Sequence, residues 1–172
     1  MTFAPRTWTS GEVATAAMMN TEIRDQFNSF FGAWTTYTPG IFAETGTAPT
    51  IGNGTLTGRY LKTGRTVDWV AQLTWGSTSA PGSGGGSENW MIGLPAAPAA
   101  GFTQRIILVD VFDASSSLHY SASAIYSTSN GGTFRTIVSN RADASGIWDS
   151  TLPIVYAAGD ILYASGRYEA AS

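Results

Sequence analysis

The chain holds one histidine and no cysteine among its 172 residues, so any imidazole chemistry must centre on His119. Thiolate sites, disulfides and paired-histidine metal sites are thereby excluded. His119 sits between Leu118 and Tyr120 in a segment that reads as a strand, and no Gly-x-Ser-x-Gly elbow is available to present a serine to it. It reads as an exposed or half-buried strand histidine. Asp110 and Asp113 are the two carboxylates a glycosidase would want on opposite sides of a cleft. Three residues apart at a hairpin corner, they read instead as turn formers. Gly82 to Gly86 is glycine-rich but lacks the Lys-Ser/Thr and the following helix that a phosphate cradle uses. Asn53-Gly54-Thr55 matches a glycosylation sequon, but no basic-then-apolar leader opens the chain. The expectation is a protein without catalysis, cofactor or resident metal. A polysaccharide depolymerase is the enzyme alternative, and Asp110 and Asp113 are its first residues to test.

Aromatic residues are the conspicuous excess, with six Trp and seven Tyr. On a β surface such rings stack on sugars or anchor partner proteins. Trp69 and Trp75 are an even number of residues apart on one strand and share a face, which reads as core. Trp90, beside the glycine-rich loop, and Trp148 are the candidate ligand contacts.

These side chains stand in a chain with few charges. Charged residues make up 12%, about half of the ~25% usual in soluble domains. Eighteen Ser, 22 Thr and 20 Gly take their place, and eight of the nine basic residues are Arg. A net charge of −3 without a basic stripe argues against nucleic acid as a partner. No run approaches the ~20 apolar residues that span a bilayer, so membrane insertion is not expected.

Three segments are expected: an extended arm over 1–9, a helix over 10–32 and a β domain over 33–172. Thr9-Ser10-Gly11-Glu12 has the spacing of a capping box. From there to Phe31 neither proline nor interior glycine interrupts, and Gly32 stands where a C-cap belongs. Within this helix Val13, Ala16, Asn20, Ile23, Phe27 and Phe30 follow the 3-4 spacing of a heptad seam, with Asn20 as the polar member that fixes register. The seam either packs on the chain's own β domain or forms a short coiled coil, and its residues do not choose dimer over trimer.

Beyond Gly32 the pattern turns to β, with turn signals every 8 to 12 residues. Trp34 to Tyr37 reads as a strand stopped by Pro39-Gly40. Thr55 to Leu61 and Val67 to Trp75 form a hairpin about Lys62 to Arg65. Further strands are expected at Trp90 to Ile92, Arg105 to Phe112, Leu118 to Ser127, Thr133 to Ser139, Ile154 to Tyr156 and Ile161 to Tyr168. The near-continuous apolar run Ile106 to Phe112 suggests a strand covered on both faces. The fold class is mainly β: an extended arm and heptad helix before an antiparallel β-sandwich of jelly-roll type.

Trp8 to Asp25 follows the pattern W-x-x-G-E-x-x-T-A-x-x-M-N-x-x-I-R-D. It resembles the N-terminal motif of small minor tail or fibre-type virion proteins from phages of actinobacteria and related hosts. Ala33 to Pro39, Ile51 to Tyr60 and Ala158 to Tyr168 are similar to the same family. The resemblance spans most of the chain, strongly in its first 75 residues. It implies a virion structural protein on the particle surface, in the tail or on the head, with no catalytic motif to carry over. It also implies a homotrimer whose helix lies near the attachment point and whose β domain faces outwards. On this reading Pro5 and Trp8 of the arm dock into another virion protein. The alternative is a module that recognises a host-surface glycan.

Overall fold

A computed structural model of the chain describes residues 6–43, 46–82, 90–99, 106–127, 133–139, 150–151 and 153–171. Pro5 and Trp148 lie outside the described residues, as does 83–89 of the glycine-rich stretch.

The N-terminal helix begins six residues later than its apparent capping box. Gly11 has φ of +83°, in the left-handed region that cannot continue into a right-handed helix. Thr9 to Glu12 is therefore a turn, closed by Glu12 N–H donating to Thr9 O at 3.1 Å. The Glu12 carboxylate accepts from Thr9 N at 3.3 Å and pairs with Arg6 at 2.9 Å. Thr15 is the true N-cap, its Oγ1 accepting from Met18 N at 3.2 Å. The motif thus encodes a turn followed by a cap. The helix consists of α1 (Ala16–Met19), a π-helical segment (Asn20–Arg24) and α2 (Asp25–Phe30). The wider π turn lets the helix face lag behind the α repeat, and Val13 precedes the first turn, so the expected seam is not one continuous heptad stripe.

Nine strands follow: β1 (Thr35–Tyr37), β2 (Ile41–Ala43), β3 (Thr55–Thr63), β4 (Thr66–Thr74), β5 (Trp90–Gly93), β6 (Ile106–Asp113), β7 (Leu118–Ser127), β8 (Thr133–Ser139) and β9 (Ile161–Glu169). The described pairs are all antiparallel and form one sheet in the order β1-β3-β4-β9-β6-β7-β8-β5-β2. The mainly β, antiparallel expectation holds, but the ladder is continuous and does not divide into two sheets. Its end strands β1 and β2 are separated in the chain only by Thr38-Pro39-Gly40, so the sheet must curl enough to bring its two edges near one another. There the Tyr37 hydroxyl at the end of β1 donates to Gly93 O of β5 at 3.3 Å, while Gly93 N donates to Gly40 O at 2.9 Å and extends the β2–β5 pairing. Burial, with Tyr168 nearby, pushes the Tyr37 hydroxyl well above the ordinary tyrosine range, so it remains a proton donor there.

Curling gives the sheet an inner and an outer face, and period two assigns the side chains. On β4, Val67, Trp69, Ala71, Leu73 and the following Trp75 are all buried. The inner rows cross the strands in register. Leu73, Leu162 and Val111 form one, and Ala71, Ala164, Val109 and Ala122 the next. Trp69 faces Gly166 across β4 and β9, where a Cβ would lie 3.4 Å from the indole Nε1 and 3.2 Å from Ile107. Glycine there leaves room for the large ring. Trp75, Trp90 and Tyr156 form a trio with ring centroids 4.8 to 5.5 Å apart.

Two strand expectations are corrected. Ile154 to Tyr156 alternates in burial but joins no ladder: Pro153 has no N–H to pair, and the segment runs directly into the turn at 157–160. The β6 run is not covered on both faces, because Ile107, Val109 and Val111 point inwards while Leu108 is 67% exposed.

Two ties fasten loops to this frame. The Asp160 carboxylate, 2% exposed, accepts from Ala114 N at 2.9 Å and Ala157 N at 2.7 Å. Asn53 accepts from Thr78 N at 2.9 Å through Oδ1 and donates to Ser77 Oγ at 3.1 Å, while its own N–H donates to Thr78 Oγ1 at 2.9 Å. The sequon asparagine is thus engaged in joining the turn at 51–54 to that at 76–79. Asn53→Ala should lower stability by about 0.5–1.5 kcal/mol in urea unfolding, through the side-chain bonds to Thr78 N and Ser77 Oγ that are lost. An unchanged midpoint would mean that the two turns hold without it.

Candidate functional site

Two surfaces stand out: the uncovered side of the N-terminal helix and a groove in the outer face of the sheet. Of the seam residues, Ala16, Asn20, Ile23, Phe27 and Phe30 lie on the helix and are all exposed, and so is Val13 ahead of it. Phe31, at 85%, and Trp34 extend the apolar surface towards β1. Although α2 touches β3, the chain's own sheet leaves these side chains exposed. Trp8 is also exposed, with the Arg6 guanidinium 5.6 Å from its ring centroid.

The groove encloses about 720 Å³ over β3, β4, β9, β6 and β7. Its floor is the backbone of the inward row that includes Gly58, Ala71 and Ala164. Its walls are outward side chains on two rungs. Thr57, Gln72, Tyr163, Asp110 and Ser121 are mutually in register on the first. Arg59, Val70, Ser165 and Leu108 are in register on the second. Five strands set about 4.8 Å apart give the groove a reach of about 19 Å.

Near one end a polar cluster is built round Asp110. Its Oδ2 lies 2.6 Å from His119 Nδ1, and its Oδ1 accepts from Ser121 Oγ at 2.8 Å. His119 also leans on Phe112, with ring centroids 5.0 Å apart. Serine, histidine and aspartate are thus brought together, but the carboxylate is the central member. Nucleophile activation needs the imidazole between serine and carboxylate, to take the hydroxyl proton. Here Ser121 gives its hydrogen bond to Asp110, and His119 is a strand histidine held by its neighbour.

Asp113 is not a second acid for this groove. An odd separation puts Asp110 and Asp113 on opposite faces of β6. Asp113 caps the following turn instead, accepting from Ser115 N at 2.8 Å and Oγ at 2.7 Å, and from Ser116 N at 3.2 Å and Oγ at 2.8 Å. The two hydroxyl bonds, Ser115 first, hold its carboxyl below the ordinary range. A lowered value supports the turn above the ordinary carboxylate range and withdraws that support as acid protonates it.

Trp90 is corrected as a candidate ligand contact. It is 1% exposed, within the aromatic trio, because β5 is covered on both faces: Trp90, Met91 and Ile92 are all buried. No group of three or more His, Asp or Glu that could hold a metal occurs among the described residues. No described helix is long and apolar enough to cross a membrane.

Comparison with known proteins finds no match among family models, curated proteins or solved structures. The site must therefore be read from its own geometry. Sequence reasoning singled out Asp110 and His119 but missed Gln72, Ser121, Tyr163 and Arg59 as groove residues. Period two gives the outward face of each strand. Only the pairing of β9 with both β4 and β6 places those faces in one rung, and no local signal announces that pairing.

Proposed function

We propose that the chain is a virion structural protein of a tailed phage: a minor tail, fibre, head-fibre or decoration protein. It self-associates through its N-terminal helix and presents the β domain outwards from the particle. The observation that carries this reading is the apolar helix surface of Ile23, Phe27 and Phe30, continued by Phe31, which the chain itself leaves in water. Burying one such side chain contributes about 1.5–3 kcal/mol, so several per protomer drive association of copies. Asn20, on the same exposed helix, supplies a polar position that can set register between copies. A trimer is the expected assembly, on the strength of the sequence resemblance. Trp8, with Pro5 behind it in the chain, is the anchor towards a neighbouring virion protein. The low charge and the abundance of Ser and Thr suit a hydroxyl-coated particle surface.

Light scattering of the full chain tests the association. An oligomer is expected, converted to monomer by the double substitution Ile23→Asp and Phe27→Asp and by removal of residues 1–32. A monodisperse monomer for the unmodified chain would overturn the helix as assembly element.

A further inference from the structure

Independently of self-association, we propose that the outer-face groove is a binding site for a neutral oligosaccharide, lying across β3, β4, β9, β6 and β7. Sugar rings pair apolar C–H faces with a rim of hydroxyls, and the groove offers a counterpart to each. Tyr163, 37% exposed, stands on the central strand of the five, with apolar Val70 and Leu108 on the neighbouring rung. A tyrosine ring supplies a flat apolar surface ending in a polar group.

Hydrogen-bonding groups flank that ring in register. Gln72 is its direct neighbour on β4 and Asp110 its direct neighbour on β6. Each Asp110 oxygen is already oriented by one partner, His119 or Ser121. An ionised carboxylate has about four acceptor sites, so half remain for ligand hydroxyls. Arg59, exposed near the opposite end, has no ion pair among the described residues and brings further donors.

The charge balance selects the ligand. Among the described lining residues Arg59 is the single base and Asp110 the single acid. A polyanion would meet one cation and one repelling carboxylate, whereas a neutral polyol can bond to both. The apolar helix of a second copy fits poorly, because it would bury the Arg59 guanidinium and the remaining acceptor sites of Asp110 against apolar side chains.

The test is an array of neutral and acidic oligosaccharides probed with the full chain, followed by titration of any neutral binder with amide chemical shifts as readout. Binding of a neutral oligosaccharide is expected, with shifts clustered on the five groove strands. Tyr163→Ala and Asp110→Asn should each weaken it at least about tenfold, and Tyr163→Phe by less than about threefold. Val155→Ala, at an exposed position outside the groove, should leave it unchanged. Near-UV circular dichroism checks that each variant is folded. If Tyr163→Ala fails that check, Asp110→Asn and Gln72→Ala decide. Three results would overturn the proposal: no neutral saccharide bound at millimolar concentration, binding indifferent to the groove variants, or groove signals that move only with self-association.

Discussion

Asp160→Ala should cost about 3–5 kcal/mol, a large share of the 5–15 kcal/mol that holds a domain of this size together. The carboxylate is buried, and each of its oxygens accepts a backbone N–H, from Ala114 beyond β6 and from Ala157 before β9. Deleting it takes a charged acceptor from both amides at once, at a part-buried site. The effect spreads because the main chain of Asp160 belongs to the same knot. Trp75 N donates to Asp160 O at 2.9 Å, and Gly159 N donates to Trp75 O at 2.8 Å. One residue therefore fixes the end of β4, the β6–β7 turn and the entry to β9. Asp160→Asn recovers at most one of the two bonds, since its amide nitrogen is itself a donor facing a donor. Urea unfolding of the three proteins checks this. An Asp160→Ala midpoint corresponding to a loss below about 0.5 kcal/mol, the range of an ordinary surface change, would contradict it.

The residue types of Ala158-Gly159-Asp160 mark a turn, but nothing local distinguishes a turn aspartate in water from one that ties three elements. The same limit runs through the whole fold. The β3–β4 hairpin is legible because its signals are contiguous: alternating side chains on either side of Lys62 to Arg65. Strand β2 is not, because Pro39-Gly40 looks like a stop. It is in fact the corner at which the chain leaves one edge of the sheet and joins the other. The helix start misleads for a related reason. Thr9 and Glu12 have the spacing of a capping box, and they do bond to one another, but Gly11 turns the chain left-handed between them. The exposed Leu108 shows the converse error. An apolar run implies two covered faces only if a layer lies outside, and outside β6 lies the groove. Asp110 and His119 were visible as residue types. Their contact across β6 and β7, and the arrival of Tyr163 beside them from β9, depend on register between strands distant in sequence.

Trp90→Ala should be comparably damaging, by about 3–5 kcal/mol, the usual cost of removing a large buried aromatic. The expectation separates two roles for one residue. A tryptophan that contacts a ligand from the surface can be truncated with little loss of stability, at the expense of binding. Trp90 instead packs at 4.8 Å from Tyr156 and 5.5 Å from Trp75, with tilted rings. Around it Ile92 fills the same core, so truncation opens a cavity that rigid strands cannot collapse. Trp90→Phe keeps part of the volume and a ring for Tyr156, and should lose roughly half as much. Near-UV circular dichroism adds an independent readout, because tilted aromatic rings at this spacing give a coupled signal that the alanine variant must lose. In saccharide titrations the phenylalanine variant should bind as the unmodified chain does, since Trp90 does not line the groove. A stable Trp90→Ala protein with an unaltered aromatic signal would place this ring outside the core and remove the physical ground for excluding it from ligand contact.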